Sequence, residues 1–150
     1  MINKRRKARE LALQAHYAQE MSGSSISSIV DTLIAENDCD PSVKKFATEL
    51  LTKSVKNKKE IDKFIVEKAI NWEFERIAVL DKIVMRIAIC EFLYFADIPP
   101  KVSIDEAIEI SKKFSTEKSG PFINGVLDGV LLNLKSKGLI KKSGRGLSER

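Results

Sequence analysis

Five basic residues near the start of the chain form its most distinctive group of charged side chains. Residues 1–9 contain no acid and carry a charge of +5, from Lys4, Arg5, Arg6, Lys7 and Arg9. Ammonium and guanidinium groups at this density are typical partners of phosphates. The same segment begins a helical pattern, where each cation opposes the helix dipole by about 0.3–1 kcal/mol unless an anion neutralises it. The pattern therefore indicates phosphate binding, and the alternative is a solvated face or a frayed basic arm.

Residues that build catalytic and metal sites are scarce. His16 is the single histidine, which excludes a paired-histidine metal site and a histidine relay; we expect it at the surface, with a position facing RNA as the alternative. Cys39 and Cys90 lack the close spacing of a zinc site, so we expect two reduced thiols. We predict a protein that is not an enzyme and holds no metal or cofactor.

The distribution of charge separates two basic ends from an acidic middle. Of the net charge of +5, residues 1–9 contribute +5 and residues 135–150 another +5, which leaves −5 between them. Such asymmetry suits a polyanion at the ends and a basic partner for the middle. The chain has neither a secretory signal nor an apolar run near the ~20 residues that a bilayer requires. We therefore expect a cytoplasmic protein without membrane contact.

Apolar residues recur at helical spacing along almost the whole chain, which predicts an all-α fold. We place helices near residues 4–19, 26–34, 41–55, 57–72, 77–95, 103–111 and 121–134. Asn57 with Glu60, and Ser103 with Glu106, have the spacing of capping boxes at helix starts. The fifth helix is apolar nearly all round, as a buried central helix is. We predict one domain over 1–138 and a basic, disordered tail over 139–150.

Three segments together resemble the NusB family of transcription antitermination factors. They span residues 5–17, 80–91 and 100–128, and the last contains Phe-Ile-Asn-Gly-Val-Leu-Asp, the most specific part. The resemblance implies about seven helices, in two three-helix-bundle-like halves around a central apolar helix. It further implies binding of single-stranded boxA RNA, chiefly in ribosomal RNA transcripts, together with NusE, a small-subunit ribosomal protein. Such a factor acts with the RNA polymerase antitermination complex and catalyses nothing.

Site residues follow from the resemblance position by position. It implies RNA contacts for Lys4, Arg5, Arg6, Lys7, Arg9, Tyr17, Arg76, Phe122 and Asn124. It implies a partner-protein interface for Asp81, Arg86 and Glu91. Asp81 and Glu91 interrupt an apolar helix, so nearby Arg76, Lys82 and Arg86 could equally neutralise them within the fold. The chain departs from the family in having His16 where leucine is frequent, and Asp81 where glutamate is common.

Two other functions remain open from the sequence. One is the RNA-binding module found in some ribosomal RNA cytosine methyltransferases, although we expect a complete protein here rather than a fragment of such an enzyme. The other is an adaptor that binds a basic protein and ignores RNA. The sequence also leaves open whether the free protein is a monomer or a homodimer.

Overall fold

The fold was analysed on a computed structural model, which describes residues 3–142. Within that range the chain forms seven α-helices and two short helical turns, which confirms the predicted all-α class. The helices are α1 (Lys4–Ser22), α2 (Ile26–Ile29), α3 (Pro41–Lys56), α4 (Lys58–Lys68), α5 (Val79–Tyr94), α6 (Pro100–Phe114) and α7 (Ser119–Ser136). They belong to two compact units, Met1–Asn57 and Lys58–Arg150.

The first unit is built on the packing of α1 against α3. Asn3 caps α1 by accepting a hydrogen bond from the Arg6 backbone N–H at 3.2 Å, and Gly23 ends the helix in the left-handed conformation at φ 70°. Asp40 caps α3, with Pro41 at the first helical position. Alanines and leucines of α1 meet a buried stripe of α3, because both recur at helical spacing. After α2, residues Val30–Ile34 widen into a π-helical turn.

The second unit surrounds α5, which packs against α4, α6 and α7. Eleven of the sixteen residues of α5 are buried, as the nearly uniform apolar pattern predicts. Burial of each large aliphatic side chain contributes about 1.5–3 kcal/mol, so this helix forms the core of the unit. A 3₁₀ turn at Phe74–Arg76 leads into it.

Several predicted helix ends differ from the observed ones. The Ser103 capping box is wrong, because α6 begins at Pro100, whose fixed φ favours the first helical turn. The fourth helix ends at Lys68 and does not continue toward Trp72. Asn57 ends α3, and its side-chain amide donates to the Lys53 carbonyl at 2.8 Å. These differences arise because local spacing does not encode which polar side chain finds a tertiary partner.

The predicted tail begins inside the described residues and extends beyond them. Residues 139–142 are not helical. Lys142 Nζ donates at 2.7 Å to the carbonyls of Glu91 and of Phe95 at the end of α5, and burial lowers its pKa to about 8. Positions 143–150 lie outside the described residues, and the domain limits 1–138 and 139–150 stay a prediction. In residues 3–142 no helix combines the length and apolarity that a membrane span requires.

Candidate nucleic-acid interface

The first two turns of α1 hold the predicted basic cluster, and the first turn contains no acidic residue. Lys4 is partly neutralised, because its Nζ lies 3.1 Å from Asp40 Oδ2. Hydrogen bonds from the Ser42 backbone N–H and hydroxyl, together with Lys4, lower the pKa of Asp40 to about 2. Lys7 follows three residues later on the same side of the helix, is half-buried and makes no ion pair within the described part of the chain. The two lysines of this turn therefore differ in how much of their charge remains for a ligand.

Two arginines of the cluster lie against one aromatic ring. The guanidinium carbon of Arg5 is 4.0 Å from the centre of the Phe46 ring, and that of Arg9 is 5.6 Å away. Arg9 is only 3% exposed, whereas Arg5 is exposed. Cation–π contact and burial hold Arg9 inside the unit. Arg9 thus has little accessible surface with which to make its predicted RNA contact, while Arg5 remains at the surface.

The outward side of α1 joins a cation to an aromatic side chain. Lys7, Gln14 and Tyr17 follow one another at spacings of seven and three residues, which places them on the same side of a helix. Tyr17 is 42% exposed. Ten residues separate Lys7 from Tyr17, a rise of about 15 Å along the axis. His16, by contrast, is fully buried, so the expectation that it lies at the surface was wrong.

A pocket of about 190 Å³ opens in the second unit, between the turn before α5 and the start of α7. Trp72 and Phe122 form its aromatic wall, with ring centres 5.1 Å apart and planes inclined by 60°. Trp72 is 59% exposed, so an aromatic surface is open to a ligand. Arg76 and Lys118 also line the pocket, and both are exposed. Exposed aromatic rings beside cations are the combination on which unpaired bases stack.

A carboxylate and three hydroxyl groups lie at this pocket. Ser115 Oγ donates to Asp81 Oδ1 at 2.7 Å, and Ser119 Oγ donates to Asp81 Oδ2 at 3.0 Å. Thr116 Oγ1 lies 3.1 Å from Ser119 Oγ. Asp81 is 8% exposed and, with Thr116 and Ser119, lines the pocket. Hydrogen bonds from the hydroxyls of Ser115 and Ser119 thus stabilise Asp81, in place of the cations considered from the sequence.

The other two residues predicted at a partner interface are buried inside the second unit. Arg86 is 4% exposed and contacts Asp62 of α4 through Nε at 2.7 Å and Nη2 at 3.0 Å. Glu91 is 1% exposed and accepts a hydrogen bond from Ser103 Oγ at 2.7 Å. Their contacts with a partner protein stay a prediction. Both side chains have little surface to offer another protein.

The structure brings only part of the predicted site together. Arg76 and Phe122 share the pocket, whereas Asn124 is half-buried on α7 and does not line it. Trp72 and Lys118 were missed by the sequence analysis. The signal for Trp72 was its place at the end of the predicted helix, as a large ring between Asn71 and Glu73. Among the described side chains, no group of three potential metal ligands lies close enough to hold an ion.

Comparison with known proteins gives a consistent family. The profile of the NusB family matches residues 6–131. The transcription antitermination protein NusB of Chloroherpeton thalassium is 47% identical over 148 residues, covering 98% of this chain and 70% of the relative. Thermotoga maritima NusB is 33% identical, with a TM-score of 0.77 and coverage of 88% and 93% of the two chains. A NusB solved with NusE and double-stranded RNA is 24% identical and shares the fold, with a TM-score of 0.78 and coverage of 89% and 99%.

Proposed function

Because the chain belongs to the NusB family of transcription antitermination proteins, we propose that it binds single-stranded boxA RNA of nascent transcripts. Two surfaces take part. One is the outward side of α1 with its basic first turn, and the other is the aromatic pocket of the second unit. NusE is the protein partner, and the chain acts with the RNA polymerase antitermination complex. This function belongs in the cytoplasm, where transcripts emerge.

The basic start of α1 is the observation that carries this proposal. Backbone N–H groups and the positive end of the dipole already favour an anion at a helix N-terminus. Lysines and arginines occupy this turn and no acid does, so their positive charge adds to that of the helix end. RNA phosphates that bind here release counterions, which makes binding salt-dependent.

Exposed aromatic rings supply the second component of single-strand binding. Stacking of a base on an aromatic side chain contributes about 1–3 kcal/mol and tolerates any base. Tyr17 on α1 and the pair of Trp72 and Phe122 each have accessible ring surface. Tyr17 lies on the same side as Lys7, so a strand whose phosphate contacts Lys7 can place a base on Tyr17 a few nucleotides away.

We propose NusE and the polymerase complex as partners because the chain belongs to the family, and not because of a particular contact surface. The relative solved with NusE and RNA shares the fold of this chain. Burial of Arg86 and Glu91 argues that direct contacts to NusE come from other side chains. An RNA-independent adaptor is the competing function, and it predicts NusE binding that RNA does not affect.

A comparison of the two lysines in the first turn of α1 tests the proposal. Lys7→Gln is expected to weaken binding of a boxA-like RNA and to reduce the slope of log affinity against log salt by about 0.7, the value for one single-strand phosphate contact. Lys4→Gln is the matched control, because Asp40 already neutralises much of that charge, and its slope should change less. Fluorescence anisotropy of labelled RNA, with and without NusE, gives both quantities.

Tyr17→Ala completes the test. It should weaken binding by about 1–3 kcal/mol at every salt concentration, because stacking involves no counterion release. If neither Lys7→Gln nor Tyr17→Ala changes the RNA affinity, and Lys7→Gln leaves the salt slope unchanged, α1 is not part of the RNA interface. NusE binding that is the same with boxA-like and scrambled RNA would favour the adaptor.

A further inference from the structure

The pocket beside Trp72 has a polar side on which each hydroxyl proton can be assigned to an acceptor. Asp81, Thr116 and Ser119 line it, and Ser115 adjoins Asp81. Each hydroxyl group has one proton to donate, whereas a carboxylate accepts only. Ser115 and Ser119 both donate to Asp81, one to each oxygen. Neither serine therefore has a proton left for the other, although their oxygens are 3.2 Å apart.

The same count fixes the direction of the remaining hydrogen bond. Since the Ser119 proton is used on Asp81, the 3.1 Å contact between Thr116 and Ser119 must use the Thr116 proton. All three hydroxyl protons then lie within the cluster. Its remaining hydrogen-bonding capacity consists of oxygen lone pairs, so this side of the pocket selects a ligand edge that donates hydrogen bonds.

We propose that the pocket binds a guanine base, with Asp81 accepting hydrogen bonds from its N1–H and N2 amino group. This assignment rests on the proposed RNA-binding function and names the base that this part of it selects. Guanine carries two adjacent donors on its Watson–Crick edge, which match the two oxygens of one carboxylate. Adenine and cytosine place a ring acceptor beside their amino group, and uracil has one donor between two carbonyls, so each would bring an acceptor against Asp81.

The rest of the pocket complements the same base. A cavity of about 190 Å³ is below the 300–1,000 Å³ typical of drug-sized ligands, which suits a single planar base. Trp72 and Phe122 provide ring surface for stacking. Arg76 and Lys118 line the pocket as donors, and they suit the guanine O6 acceptor or the adjoining phosphate. The acceptors of the pocket therefore face the donors of guanine, and its donors face the guanine acceptor.

The chain contains a single tryptophan, and it lies in this pocket, so its fluorescence reports occupancy directly. We would titrate the full chain with short oligouridines that differ in one central base: guanine, hypoxanthine, adenine, cytosine or uracil. Hypoxanthine retains N1–H and lacks the N2 amino group, so it removes one of the two proposed donors. We expect the guanine RNA to change the Trp72 signal at the lowest concentration, and the hypoxanthine RNA to bind about 5- to 30-fold more weakly.

A pair of aspartate variants tests the role of the carboxylate. Asp81→Asn replaces one acceptor oxygen by a donor and should bring the affinities for guanine and hypoxanthine close together. Asp105→Asn is the matched control at an exposed position of α6, and it should keep the full difference. Circular dichroism checks the helix content of both variants. If Asp81→Asn does not fold, the comparison of guanine with hypoxanthine on the unaltered chain still decides the proposal.

The outcomes separate this proposal from the function on which it rests. Equal binding of the guanine and hypoxanthine RNAs would overturn the guanine site, and sensitivity of boxA binding to Lys7→Gln would still support RNA binding through α1. A guanine-dependent Trp72 signal that Lys7→Gln and salt leave unchanged would support the guanine site and count against the α1 surface. Absence of any Trp72 response to the guanine RNA at saturating anisotropy would also overturn the guanine site.

Discussion

The ion pair between Arg86 and Asp62 is expected to be one of the most sensitive points of the second unit. It joins α5 to α4 through two hydrogen bonds, of 2.7 and 3.0 Å, and the side chains are 4% and 19% exposed. Asp62→Ala removes both acceptors and leaves a guanidinium group inside the fold. Removal of one partner from a buried pair costs about 3–5 kcal/mol. Because water reaches Asp62 in part, we expect the lower end, near 3 kcal/mol, or a fall in Tm of about 10 °C.

Urea unfolding followed by the fluorescence of Trp72 measures this loss in the unit that contains the pair. Asp105→Ala is the control, since a surface aspartate of α6 should change stability by less than about 0.5 kcal/mol. The double variant Asp62→Ala, Arg86→Met removes both charges and should recover most of the lost stability, because the loss comes from keeping the guanidinium buried without the Asp62 carboxylate. A loss below about 1 kcal/mol for Asp62→Ala, or a double variant no more stable than the single one, would refute this reasoning.

Three further predictions concern the start of α3, the end of α5 and α7. The pKa of Asp40 is lowered to about 2 by Ser42 and Lys4, so its stabilising contribution should be present above pH ~4 and disappear toward pH 2; the Tm difference between the natural chain and Asp40→Asn should narrow over that range. Burial lowers the pKa of Lys142 from 10.5 to about 8, so the unfolded state binds more protons than the folded state between these two pH values. The stability of the fold should therefore rise with pH over that range. Measurements of Tm against pH should show this rise in the control Lys141→Met and not in Lys142→Met. Gly125→Ala should stabilise the fold by about 0.5–1 kcal/mol, measured by urea unfolding, because a Cβ there meets no atom within 4 Å. Gly129→Ala should stabilise it less, because its Cβ would lie 3.2 Å from Lys68 Cδ. Equal gains in stability would contradict the packing argument.

The existence of each helix could be predicted because helical spacing is a local property of the chain. The apolar stripe of α3 and the nearly uniform apolar character of α5 correspond to buried faces in the structure. The ends were less predictable, and Ser103 shows why. Its spacing to Glu106 matches a cap, yet its hydroxyl lies inside α6 and donates to Glu91, twelve residues earlier. A side chain that could form either of two hydrogen bonds forms the one that packing allows.

The candidate site was predictable in part for the same reason. The basic cluster and the aromatic residues at positions 17 and 122 were identified from residue type and from the family segments. Burial of Arg9 was not, because it depends on Phe46 of another helix. The pairing of Trp72 with Phe122 joins residues fifty positions apart, and no periodic pattern links them.

Residue types and their order were enough to predict the helical class, the positive charge at the start of α1, the scarcity of catalytic residue types and the resemblance to the NusB family. Each of these depends on residue type and short-range spacing, which are present before the chain folds. The partners of the buried charges became known only once the helices were packed: Arg86 with Asp62, and Asp81 with the hydroxyls of Ser115 and Ser119. Such pairs form between residues distant in sequence, because a buried charge must find its partner among the groups that packing brings within hydrogen-bond distance.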